Sequence, residues 1–164
     1  MSGPARAALD AFLALDLARW PGLPSLSPAD VEAALGGAGA AWEPVVLGWE
    51  PALRATFPAA TPSGGVAAYH RAGTVVMLEA LAPPSAETVQ ALGDPDAILP
   101  HEVRSQRGYV HEHLYAGRGL LVGMLQPFAG GSLEPVRCRG IVPLSPGGEL
   151  DPGLYRSAED QVLW

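Results

Sequence analysis

The chain contains no lysine and no asparagine, and it has one cysteine, Cys138. A lone cysteine excludes an intrachain disulfide, so nothing calls for an oxidising compartment. The absence of lysine excludes a P-loop. All ten basic residues are arginine, and they are scattered against seventeen acids for a net charge of −7. A surface of that sign repels phosphate backbones and shows no basic patch, so the partner is not expected to be nucleic acid. No apolar run is long enough to span a bilayer: Leu9–Leu17 is short and is broken by Asp10 and Asp16. No leader of the charged-then-apolar kind opens the chain. The expectation is a cytoplasmic protein with no membrane association.

What is present is alanine, glycine, proline, leucine and arginine, a bias expected of a GC-rich bacterial genome. Nearly half of the 164 residues are apolar, enough for one compact domain over 1–164. Residues 5–15 carry Ala5, Ala8, Leu9, Phe12 and Leu13 at helical spacing, which predicts a first helix. Ser27, Pro28 and Asp30 then form a cap, an N1 proline and a first-turn acid, and Gly36 closes a second helix. Ser85 and Gly93 bracket a third. Extended segments are predicted at 44–49, 66–70, 74–81, 109–115, 119–125 and 134–144. Residues 57–65 and 127–132 read as loops. Pro135 and Gly140 put the last strand at an edge or on a bulge. Helices placed ahead of runs of strands give an α+β fold, with an antiparallel sheet carrying N-terminal helices. Ala29–Gly36 and Ala86–Gly93 read alike, and both precede extended segments. They point to two tandem helix-plus-hairpin repeats over 24–82 and 83–145, against the alternative of chance similarity in a biased composition.

Val31-Glu32-Ala33-Ala34-Leu35-Gly36 and Leu92-Gly93-Asp94-Pro95 resemble the helix-end motif of small bacterial α+β modules. These are the outer-membrane lipoprotein SmpA/OmlA type and the β-lactamase-inhibitor-protein-like type. The motif runs Val, three residues, Leu-Gly, one residue, Pro. This chain has Ala38 at the first proline position and Thr88 at the second valine position. The resemblance implies a doubled module with a binding or scaffolding role and no catalysis.

Chemistry-bearing residues concentrate in one region. On a strand, Tyr109, His111, His113 and Tyr115 share a face, which makes them the candidate partner-binding surface. His111 and His113 with His101 (or Glu102) from a preceding loop form the alternative, a metal site of a metal-binding protein or metal-dependent hydrolase. The opposing reading of the same residues is a solvent-facing strand without metal.

Other signals are ordinary. No Gly-x-Ser-x-Gly elbow occurs, and Ser132 after Gly130-Gly131 is a turn residue. Cys138 lies between Arg137 and Arg139, whose side chains on a strand point away from the sulfur. Gly117-Arg118-Gly119 and Gly147-Gly148 lack the strand–glycine–helix order of a phosphate loop. Asp16, Glu79 and Glu102 are acids beside apolar stretches, with surface placement as the default. Trp20, Trp42, Trp49 and Tyr69 are binding anchors if they stand on an open sheet face, against core packing, the favoured reading for the tryptophans. Val162-Leu163-Trp164 is an apolar terminus.

The functional expectation is a non-enzymatic protein-binding module of the immunity or inhibitor kind, without cofactor, for a protein partner of basic character. The third alternative is a self-associating structural domain forming a homodimer.

Overall fold

The computed structural model describes residues 1–37, 39–48 and 50–145, with 100–103 described by backbone alone. Ala38, Trp49, Gly147, Gly148 and the terminal Val162-Leu163-Trp164 therefore lie outside the described residues, as do the side chains of His101 and Glu102.

Helix α1 spans Gly3–Leu13 and α2 spans Pro28–Leu35. Strands β1 (Glu43–Leu47), β2 (Glu50–Pro58), β3 (Gly65–Arg71) and β4 (Thr74–Ala80) follow. Helix α3 (Ala86–Gln90) precedes β5 (Ala97–Arg104), β6 (Gly108–Tyr115), β7 (Leu120–Pro127) and β8 (Glu134–Gly140). The strands form one eight-stranded antiparallel sheet in the order β1-β2-β3-β4-β8-β7-β6-β5. Two four-stranded meanders thus meet in the middle, where β4 pairs with β8.

Each helix obeys local chemistry. Ser2 accepts from the Ala5 N–H, and α1 buries Ala5, Ala8, Leu9, Phe12 and Leu13. It ends two residues before the expected Leu15, which adopts φ 52°; that left-handed turn carries Asp16 off the apolar face. In α2, Ser27 and Asp30 exchange backbone-to-side-chain hydrogen bonds at 3.1 and 2.9 Å, and Gly36 ends the helix at φ 68°. The same Ser27 N–H holds the Asp30 carboxyl below its usual range.

All three helices contribute to the apolar cluster on one face of the sheet, with Phe12, Leu17, Trp20, Val31, Leu78, Val89, Leu120 and Cys138 among its members. Gly140 lets this packing close: a Cβ there would stand 2.7 Å from the Trp20 ring. The opposite face carries a smaller cluster of Leu47, Ala52, Ala67, Tyr69, Met77, Leu114, Leu121 and Ile141.

Three sequence expectations are corrected. First, α2 and α3 are each followed by four strands, not a hairpin, because β2 and β5 escape the reading. β2 has prolines near both its ends, Pro51 and Pro58, and takes in the start of the expected loop at 57–65. β5 carries Pro100 within an outer strand, where a missing N–H is tolerated. Second, His101 and Glu102 belong to β5 and not to a loop. Third, β8 is an interior strand. Pro135 is accommodated because β4 pairs only at Leu78↔Gly140 and Glu79↔Arg139, so no β4 residue lies opposite the proline. The expected bulge is present, between Gly123 and Met124 in the β7–β8 ladder. No helix among the described residues is long and apolar enough to cross a membrane.

Candidate functional site

The alternation of β6 places Tyr109, His111, His113 and Tyr115 on the face that bears the helices. They are not equally available. Tyr115 is 5% exposed and donates its hydroxyl to the Gly93 carbonyl at 3.2 Å, which anchors the end of α3 to the sheet. Burial and the nearby Asp94 and Asp96 raise its phenol above the ordinary value. His113 is 8% exposed; burial first, then the neighbouring His111, lower its pKa, so the imidazole favours its neutral form. His111 is half-buried and Tyr109 is 38% exposed.

Between α3 and the β6–β7 pair lies an open cleft of about 600 Å³. Val89, Met124 and Leu133 supply its apolar surface, and Gln90, Asp94, His113 and Gln126 its polar surface. Beside it the sheet presents a patch that sequence reasoning missed. The ring of Phe128, 49% exposed, meets Tyr109 edge-on at 5.1 Å, and the Arg104 guanidinium lies over it at 5.4 Å. Ile98, 58% exposed, is the ladder partner of His113 and so shares its face. Phe128 stands in the segment read as a turn, and Ile98 in the unrecognised β5; neither carries a local signal of pairing with Tyr109 or His113.

The metal alternative gains no geometry. His111 and His113 are near each other, but the His101 side chain is outside the described residues. Among the described residues no group of three His, Cys, Asp or Glu side chains gathers as a metal site would require. Cys138 is fully buried on the helix-bearing face, and burial, aided by Glu112 and Glu79, pushes its thiol up to about 12. Such a thiol is a packing group at neutral pH.

Arg137 and Arg139 project to the other face, where they build an ionic network. Arg137 pairs with Glu112 across β7, where Gly123 has no side chain to obstruct it. Arg139 donates to Glu79 at 2.6 Å and approaches Glu112 at 3.9 Å. Arg54 donates to the Tyr69 hydroxyl at 3.0 Å. The Glu112 and Arg139 side chains are almost wholly buried, and Glu112 Oε2 accepts no hydrogen bond among the described residues. Glu79 is thus part of a buried network and not at the surface. Asp16 pairs with Arg19 at 3.5 Å near the surface. Trp20 is in the core; Trp42 is half-buried. Comparison with family models, curated proteins and solved structures returns no match.

Proposed function

We propose that this protein is a non-enzymatic protein-binding module of the immunity or inhibitor kind, acting by steric and electrostatic recognition. The observation that carries the reading is the exposed Tyr109–Phe128 pair with Ile98 and Leu133, set beside an open cleft on the second meander. Aromatic rings and a large aliphatic chain bury much area at small entropic cost, which suits an interface core. With an overall charge of −7, and Glu87, Asp94 and Asp96 exposed around α3, the surface steers toward a basic partner.

The resemblance to doubled inhibitor-like modules belongs to the same reading, as does a duplicated unit over 24–82 and 83–145. Its support is positional. β3–β4 and β7–β8 each contain one register shift, at Tyr69/His70 and at Gly123/Met124. Those two steps are equally far from the ends of their ladders: Phe57↔Val66 precedes the first and Tyr115↔Leu120 the second by the same spacing along β3 and β7. A cytoplasmic place of action accompanies the reading.

The test is affinity capture from source-cell lysate, followed by reconstitution with the purified partner. The wild-type chain should retain one partner stoichiometrically. The double variant Tyr109→Ser/Phe128→Ser should fold and bind at least tenfold more weakly, as for loss of interface anchors. Equal retention by both would overturn the assignment of the surface, and no partner at all would overturn the reading.

Self-association is the second reading, favoured by exposed Val46 and Ile98 on the two outer strands, β1 and β5. A solution mass of twice the chain mass would support it; a monomer at high concentration would remove it.

A further inference from the structure

The β2–β3–β4 and β6–β7–β8 ladders share one register around different contents, while β5–β6 carries a shift between Ile98 and Glu102 that β1–β2 lacks. In the first, Phe57 pairs with Val66 and Leu53 with His70. In the second, Tyr115 pairs with Leu120 and His111 with Met124, four residues along each strand as before. Tyr115 therefore stands where Phe57 does, Met124 where His70 does, and His113 where Ala55 does. The helices correspond through their caps. Ser27 and Ser85 are the N-caps, Val31 and Val89 are the buried residues four positions on, and Glu32 and Gln90 come next.

In the first meander the space between helix and sheet is filled by the chain's own indole. The Trp42 ring lies 5.8 Å from Phe57 and edge-on to His70 at 4.7 Å, and its Nε1–H donates to Glu32 Oε1 at 2.8 Å. After α3 the chain runs Gly93-Asp94-Pro95-Asp96 and supplies no aromatic residue before β5. The corresponding space is the open cleft, and its lining includes Tyr115, Met124 and Gln90, the counterparts of the three groups that hold Trp42.

Resting on the protein-binding reading, we infer that this cleft receives a tryptophan side chain presented by a basic segment of the partner protein. The indole packs over the edges of Tyr115 and Met124, 5% and 7% exposed, and against the more open Leu133, contacts that suit an aromatic ring against another ring, a thioether and an aliphatic chain. Its Nε1–H donates to Gln90 Oε1 as Trp42 does to Glu32. Asp94, in the cleft lining, and the exposed Glu87 and Asp96 attract the basic flanks. His113 takes the place of a methyl group and gives the cleft wall an imidazole that the first meander lacks.

The test uses the ¹⁵N-labelled full chain and two peptides, acetyl-Lys-Trp-Lys-amide and acetyl-Lys-Ala-Lys-amide. The tryptophan peptide should shift the amides of Val89, Gln90, Tyr115 and Met124 saturably, and the alanine peptide should not. Gln90→Ala should weaken the tryptophan peptide about fivefold, the loss of one neutral hydrogen bond. Absence of shifts, or equal shifts with both peptides, overturns the inference. So do cleft shifts that follow protein concentration alone, which would make a second copy the occupant. Cleft shifts produced by Trp164→Ala with no peptide present would make the chain's own terminus the occupant and overturn it as well. A partner that depends on Tyr109 and Phe128 while the cleft stays silent would sink this inference and leave the docking reading standing.

Discussion

Two rows of the sheet occupy the same place in their meanders and hold different chemistry. In the first, Arg54, Tyr69 and Met77 are ladder neighbours on the helix-free face. In the second, the neighbours are Glu112, Gly123 and Arg137. The tyrosine fills its own position and takes a hydrogen bond from Arg54; the glycine leaves a gap that Arg137 crosses to reach Glu112. On the helix-bearing face the contrast recurs as Trp42 against an open cleft. Matching ladder positions thus hold a packed tyrosine in one meander and a buried carboxylate–guanidinium pair in the other. The difference lies in side-chain volume at a few ladder positions, and it puts the Glu112–Arg137 pair and the proposed docking surface in the same meander.

The sharpest break in that comparison is Glu112→Ala. It removes the buried carboxylate that Arg137 reaches across Gly123, while Arg139 keeps Glu79, and should cost about 3–5 kcal/mol in chemical denaturation. Arg54→Ala, in the matching position, removes one hydrogen bond to a tyrosine and should cost no more than about 1.5 kcal/mol. Equal losses would dissolve the distinction between the rows. Next comes Trp42→Ala, expected to cost about 3 kcal/mol, the lower end for a large aromatic because the ring is half-buried. Its counterpart test, Gln90→Ala on the open cleft, should stay within about 0.5 kcal/mol of wild type. A smaller effect is expected of Gly123→Ala. The new Cβ would lie 3.0 Å from Arg137 Cβ and 3.4 Å from its Nε, so the guanidinium must shift, at a cost of about 1–2 kcal/mol.

The smallest effect is a pH dependence confined to the second meander. The folded His113 has a lowered pKa, so the unfolded chain binds the proton more readily. His113 therefore contributes stability that is present above the unfolded value of about 6.5 and is lost as the pH falls through the folded one. Denaturation midpoints measured from pH 7 to 5 should drop for the wild type and drop less for His113→Gln. An unchanged slope would show that the imidazole is not held neutral.

How far the sequence led depends on the range of the interactions. The caps at Ser27 and Ser85 and the stop at Gly36 are local chemistry, and α2 carries its boundaries on its face. The alternation from Tyr109 to Tyr115 was equally legible, since a strand's faces are set by period alone. What period cannot tell is which part of a face another element covers. Tyr115 is tied to Gly93 and His113 lies under the α3 side, while Tyr109 stays open. β2 and β5 were hidden by their prolines, whose cost depends on which strand lies alongside. The Glu112–Arg137 pair was illegible because it needs Gly123 between its partners, twenty-five residues apart in the chain. Cys138 was readable from its flanking arginines alone, which strand geometry turns to the opposite face.

The most direct measurement is amide hydrogen exchange of the full chain, free and saturated with its captured partner. The account predicts new protection in α3, in β6 from Gly108 to Tyr115 and in β7 around Met124 and Gln126, with β1 and β2 unchanged. Protection confined to β1 and β2, with α3 and β6 exchanging as in the free chain, would contradict it.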